Sequence, residues 1–312
     1  MGNKPIQPMS CHVRYLVFSV FLMVPCGLIA ADVNSQPSVF EMPKYIYDDY
    51  KTASERLFTE EAKPYWWAVG LSTAVMIATD DKWIEESQRL GKKWGISSDD
   101  NTTTVAKYKD INLLRLPKDT GSLMYFIGDG WTHAAIAAGF LATGTWSDDD
   151  KAYNVGFQLV EGMISTTIAT QTLKHITGRE SPSEATTRTG AWDFFPNQKT
   201  YFDNVAKYDA FPSGHLAVGV MTLTVVSKSY PEKAWIMPTG VTLLSLLSFQ
   251  MMNNEVHWAS DYPLAIALGY TFGSIAFERG QMSPHEIDEP SDATWLPLIS
   301  ADGIGLAFNY AF

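Results

Sequence analysis

Three short patterns in this chain combine residue types suited to handling a phosphoryl group. They are Lys174-His-Ile-Thr-Gly-Arg179-Glu-Ser-Pro182, Pro212-Ser213-Gly214-His215 and His257-Trp-Ala-Ser-Asp261. Pro-Ser-Gly ahead of an apolar run is a helix start, whose free N–H groups and positive dipole end bind phosphate oxygens, with glycine permitting close backbone approach. His215 would sit in the first turn, within reach of a leaving group. His257 and Asp261 are four residues apart and share a face if that stretch is helical. A carboxylate on one ring nitrogen sets the tautomer and leaves the other nitrogen as a nucleophile. Lys174 precedes Gly178, a helix-end signal, which puts Arg179 on the following loop. Both cations could stabilise a phosphoryl group, whose transfer depends mainly on positioning and charge. Each pattern alone also has a plainer role: an ordinary helix cap, a structural His–Asp pair, a solvated lysine. In order, on one helical background, the three are far more specific.

The elements that must carry them are apolar segments of helical length. Tyr65–Thr79, Trp131–Trp146, Val155–Lys174, His215–Val226, Ala234–Asn254 and Tyr262–Phe277 show no sustained alternation of period two. Turn-rich stretches separate them at Ser97–Thr104, Ser147–Lys151 and Ser181–Tyr208. The expected fold is an all-α helical bundle with about six core helices and a long loop before Phe211. Near the carboxy terminus Ile304, Leu306, Phe308, Tyr310 and Phe312 alternate with small or polar residues, which is strand periodicity. Asp302–Gly303 supplies a turn, so a short C-terminal β-hairpin with Trp295–Ser300 is expected. A terminal strand ending in Phe also resembles the last strand of an outer-membrane barrel, but one hairpin cannot close a barrel.

Composition narrows the function classes. Acidic residues outnumber basic ones 34 to 23, a net charge of −11, without any basic cluster, which argues against nucleic acid as a partner. With 46% apolar residues and 13% aromatics, intrinsic disorder is excluded as the overall state. The first thirty residues hold Lys4 and Arg14 without an acid, then the apolar run Tyr15–Ala30 and small residues, the three parts of a secretory signal peptide. Both cysteines, Cys11 and Cys26, lie inside it, so a cleaved chain has no disulfide, no thiol chemistry and no cysteine-ligated metal. The expected divisions are a signal peptide at 1–30, an amino-terminal helical part at 31–150, the motif-bearing core at 151–277, and a linker with hairpin at 278–312. The protein is expected to be exported to the periplasm or cell envelope.

Membrane topology is argued from two sides. Ala234–Asn254 is an uncharged run of 21 residues, long enough to span. It also holds Pro238, Gly240 and several Ser, Thr, Gln and Asn residues, and the mean hydropathy of the chain is only −0.07. A soluble or membrane-surface bundle is therefore favoured over a spanning one. His133 in its apolar segment reads as a core histidine, and Glu161 either faces solvent or pairs with a buried base.

From about Val155 to Phe277 the chain resembles the type 2 phosphatidic acid phosphatases, relatives of the vanadium haloperoxidases and bacterial class A acid phosphatases. Their pattern is Lys, six residues, Arg-Pro; then Pro-Ser-Gly-His; then Ser-Arg, five residues, His, three residues, Asp. The resemblance implies His257 as the nucleophile that becomes a phosphohistidine, Asp261 as its orienting partner and His215 as the acid for the leaving oxygen. It implies that Lys174, Ser213 and the Gly214 N–H hold phosphate oxygens, with no metal and no cofactor. The implied substrate class is a phosphorylated lipid, with a small phosphate ester or a pyrophosphate as the alternative.

Two departures bear on activity. Ser181 stands where the family has its first arginine, and Gln250-Met251 replaces Ser-Arg. Arg179, two residues earlier, is the expected substitute cation, with Gln250, Asn253 and Asn254 as neutral donors. Each donor lost from a charge-stabilising site costs about 3 kcal/mol of transition-state stabilisation. The expected activity is thus a metal-independent phosphatase. The alternatives are a catalytically degenerate protein that binds phosphate head groups and, lower, a vanadate-dependent haloperoxidase, which needs the full cationic clamp.

Overall fold

Side-chain caps set five of the helix starts in the computed structural model, which describes residues 37–109, 111–281, 293–300 and 303–310. The expected signal peptide with both cysteines, and most of the linker 278–293, lie outside those residues. Helix α1 (Met42–Leu57) starts with Pro43 in its first turn and buries Met42, Tyr45, Asp49 and Ala53, a stripe of helical period. Helix α2 (Lys63–Ile77) buries no residue at all. Helix α3 (Asp80–Trp94) opens on two acids that complement its dipole and closes on Gly95 in the left-handed region.

An antiparallel pair, β1 (Thr102–Tyr108) and β2 (Ile111–Pro117), follows. Asp119, Asp129 and Asp149 then each accept a backbone N–H at the starts of α4 (Thr120–Phe126), α5 (Gly130–Ser147) and α6 (Asp150–Thr177). Helix α7 (Gln198–Asp203) is short, and α8 (Gly214–Ser229) is capped by Ser213. Helices α9 (Ile236–Asn253) and α10 (Tyr262–Arg279) complete the bundle, followed by the hairpin β3 (Ala293–Ser300) and β4 (Gly303–Tyr310).

Helix α8 is the central element. It packs most extensively on α10 and also meets α6, α9 and α5. The approach of α8 and α10 is close because α10 offers glycine at the crossing: a Cβ on Gly269 would lie 2.2 Å from the Ala217 carbonyl oxygen. Around this crossing Val155, Leu159, Met163, Val218, Met221 and Val225 form one apolar cluster, and Leu216, Ala217, Leu247, Met251 and Ala265 form another. Burial of these side chains drives assembly, at about 1.5–3 kcal/mol for each large aliphatic chain fully removed from water.

The fold is the all-α bundle expected from the sequence, and each of the six apolar segments is a helix. The terminal hairpin is also present, with Trp295 opposite Phe308 and Ser300 opposite Gly303. Helices α1 and α3 lie within the expected amino-terminal helical part but outside the six apolar segments, because their charged outer faces hide a narrow buried stripe from a search for apolar runs. The strand pair at 102–117 replaces part of an expected loop. Glu161 takes the second of its two expected roles. Its Oε1 accepts from Arg279 Nε at 2.5 Å, and the same guanidinium pairs with Asp49 on α1. Burial, reinforced by the Asp49 charge, holds the Glu161 carboxyl well above the usual carboxylate range against the pull of Arg279.

His133 is a core histidine, with Nδ1 2.9 Å from Thr222 Oγ1 on α8. Burial pushes its ring down to about 4, only partly offset by the Ile127 backbone. The unfolded chain binds a proton near pH 6.5 that the folded chain refuses until about 4, so this residue makes stability fall as pH drops through that window. Between pH 7 and pH 4 the loss amounts to about 2–3 kcal/mol. Urea unfolding of His133→Gln at both pH values should show a correspondingly smaller acid-side loss than the parent chain.

Candidate active site

The first motif is shaped by a helix stop. Gly178 caps α6 with φ 52° and donates its N–H to the Lys174 carbonyl at 3.0 Å. A Cβ there would lie 2.1 Å from the Asp193 carbonyl oxygen, so the position requires glycine sterically as well as conformationally. The chain then doubles back, and Arg179 is tied through its backbone to Trp192 and Asp209. Lys174 on the last turn of α6 is buried, with Nζ 3.4 Å from Asp209 Oδ2. Its ammonium lies 3.9 Å from where a Cβ on Gly214 would stand. Lys174 therefore faces the start of α8.

The second motif is the cap of that helix. Ser213 Oγ accepts the Leu216 N–H at 3.4 Å, and Ser213 N–H donates to the Asp261 carbonyl at 3.2 Å. This bond joins the second motif to the third. His215 is partly exposed on the first turn, its ring 6.1 Å from that of His257 and 4.9 Å from that of Tyr125 on α4.

The third motif differs from expectation in how it brings its residues together. His257 and Asp261 do not share the face of an α-helix. After α9 ends, the N–H groups of Val256 and His257 both bond the Met251 carbonyl, at 3.0 and 3.1 Å. A single 3-10 turn, Ala259–Asp261, then carries Asp261 back over the histidine. Asp261 Oδ2 accepts the Trp258 N–H at 2.8 Å and lies 3.3 Å from His257 Nδ1. His257 is 2% exposed and Asp261 is fully buried.

Arg179 is corrected more sharply. It was expected to lend its charge to a phosphoryl oxygen from a loop, yet its side chain is 0% exposed and turned toward carboxylates. Nη1 donates to Asp261 Oδ1 at 2.5 Å and to Ser260 Oγ at 2.6 Å. Nη2 donates to Asp80 Oδ2 at 2.7 Å and to the Thr189 carbonyl at 2.9 Å. The rings of Trp192 and Trp258 flank the guanidinium at 4.8 and 5.4 Å. The neutral donors are also engaged elsewhere: the amides of Gln250 and Asn253 both donate to the Ser97 carbonyl, at 2.9 and 3.1 Å. At the two family arginine positions, Ser181 and Met251 are buried, and the Met251 sulfur sits 3.6 Å from Ser213 Oγ.

Asp80 is the residue that sequence reasoning missed. It opens α3, and Ser260 donates to it twice, through N–H at 3.0 Å and Oγ at 2.5 Å. Burial pushes its carboxyl up from the usual carboxylate range, against the Ser260 and Arg179 hydrogen bonds that pull it down. In the sequence it is one of two adjacent acids at a helix start, a common arrangement with no sign of a distant partner. Among the described residues, no group of three or more His, Cys, Asp or Glu is placed to hold a metal ion.

The geometry thus gathers His215, His257, Asp261, Lys174, Ser213, Gly214 and Arg179 at one end of the bundle. Residues 156–283 match the family model of the PAP2 superfamily. That segment is similar to the superfamily. At the level of the PAP2 superfamily the activity is phosphatase-type hydrolysis of a phosphoric ester. No curated protein and no solved structure matches the chain.

Arg179 holds two buried carboxylates that no other described cation contacts. Replacing it with methionine should cost about 3–5 kcal/mol, the penalty of stranding buried charge. Urea unfolding should show this as a lower midpoint with an unchanged slope.

Proposed function

We propose that the chain is an exported phosphatase that hydrolyses a phosphomonoester or a pyrophosphate through a phosphohistidine at His257. The observation that carries this reading is the buried His257–Asp261 pair facing His215 across 6.1 Å between ring centroids. With its Nδ1–H donated to Asp261, His257 presents Nε2 as a neutral nucleophile. Nε2 bonds to phosphorus while the bond to the leaving oxygen breaks, and His215 delivers the proton that oxygen needs. Water then attacks the phosphohistidine, giving up its proton to His215 and releasing inorganic phosphate, which restores both imidazoles. Lys174 and the N–H groups at the start of α8 are the donors for the phosphoryl oxygens.

A phosphorylated lipid is the favoured substrate, with a small phosphate ester as the alternative. Exposed apolar side chains support contact with a membrane surface: Tyr65, Trp67, Leu71 and Val75 on α2, and Trp235, Met237 and Val241 on or beside α9. No described helix is long and apolar enough to cross a membrane. A second reading, a binder of phosphate head groups with little turnover, draws on Arg179 being taken up by carboxylates and on the neutral Ser181 and Met251 positions. A haloperoxidase ranks below both, because vanadate keeps its charge throughout and needs more cations than this site offers.

The test is phosphate release from phosphatidic acid and from an aryl phosphate, with a chelator present. His257→Ala should remove turnover and the acid-labile phosphoenzyme together. His215→Ala should slow release from the lipid far more than from the aryl ester, whose leaving group needs no proton. Turnover that survives His257→Ala overturns the phosphohistidine reading. Tight phosphate binding without release from any ester would favour the binder.

A further inference from the structure

We propose that Asp80 is a positioning residue for His257, acting through Arg179 and Asp261. The inference rests on the phosphohistidine reading for what His257 does. Asp80 lies outside residues 156–283, so the segment that matches the superfamily is completed by a carboxylate from the amino-terminal helices.

The hydrogen-bond directions define the charge state. Arg179 Nη1 donates to Ser260 Oγ, so the Ser260 hydroxyl proton points to its other close partner, Asp80 Oδ2. Asp80 therefore receives the Ser260 N–H, the Ser260 O–H and an Arg179 N–H, and every one of these partners donates. A proton on Asp80 would have no acceptor among them. The same test applies to Asp261, which receives Arg179 Nη1 on one oxygen and the Trp258 N–H on the other. Two carboxylates thus share a single guanidinium, and the group carries one net negative charge.

That surplus charge has a use at His257. A lone Arg179–Asp261 pair would be neutral, and the arginine would draw electron density away from the oxygen that holds His257 Nδ1–H. Asp80 takes part of the guanidinium's field, so Asp261 stays a strong acceptor for the imidazole. Asp80 also fixes the turn mechanically. Its two oxygens clamp Ser260, the residue immediately before Asp261, while α2 and α3 both pack on the 259–261 turn. A shift in that turn moves Asp261 Oδ2 against Nδ1, and misplacements of about 1 Å at a reacting group can cost about a hundredfold in rate.

The experiment uses the full chain with Asp80→Asn, which keeps the shape and removes the charge, and Ser260→Ala, which removes the hydroxyl link. Histidine-selective 15N spectra read the His257 tautomer, assigned by the signal lost in His257→Ala, and kinetics are run beside them. For Asp80→Asn the expected result is a fall in kcat of about tenfold to a hundredfold with KM changed less than about twofold. The His257 resonances should move from one tautomer toward a mixture. Ser260→Ala should act in the same direction with a smaller loss, and it carries the test if Asp80→Asn does not fold. Folded variants with parental kcat and an unchanged His257 spectrum overturn the proposal and leave Asp80 a purely structural partner. A changed spectrum in a chain whose turnover survives His257→Ala would sink the phosphohistidine reading while leaving the coupling intact.

Discussion

Three charges without water, Asp80, Arg179 and Asp261, are the constraint on which the site's geometry depends. Each would be prohibitively costly to bury alone, so each holds the others in place. Arg179 can only meet both carboxylates if α6 stops at Gly178, the chain turns back past Trp192, and the turn at 259–261 lies against the start of α3. The left-handed glycine, the two flanking indoles and the Ser260 clamp together meet that requirement. The third motif is therefore held from outside by the first motif and by a helix well before either.

The packing beneath supplies the rigidity. Glycines on α10 bring it close to α8, so the cap at Ser213 and the turn at Asp261 meet through a backbone hydrogen bond. His215 and His257 then inherit their separation from a helix crossing. A second buried cluster, Arg279 with Asp49 and Glu161, ties α1 and α6 to the far end of α10. Both ends of α10 are thus anchored by an arginine among carboxylates, two at Arg179 and three at Arg279. Such groups contribute little net stability but penalise any arrangement that separates them.

The departures from the family pattern acquire a physical meaning in this setting. Met251 is an apolar core residue under Ser213, and Ser181 is a buried turn residue, so neither position offers charge to a ligand. Arg179 is taken up by Asp80 and Asp261. On the proposed reading, Lys174, which also pairs with Asp209, and the amino-terminal end of α8 are the donors to an anion. Fewer cations mean less transition-state charge stabilisation, which fits a slow enzyme or one that depends on binding energy from a large, apolar substrate.

The sequence by itself determined the helical bundle, the order of the three motifs, the helix stop at Gly178 and the cap at Ser213. These are local signals: apolar periodicity, a left-handed glycine and a serine before an apolar run act over a few residues of chain. Tertiary structure alone decided that Arg179 faces carboxylates, that His257 and Asp261 meet across a turn, and that Gln250 and Asn253 point away toward Ser97. It also decided the role of Asp80, whose guanidinium partner is 99 residues distant. Pairing of buried charge is set by which helices pack together, and desolvation leaves no pattern along the chain. An acid at a helix start looks the same whether it faces water or a buried arginine.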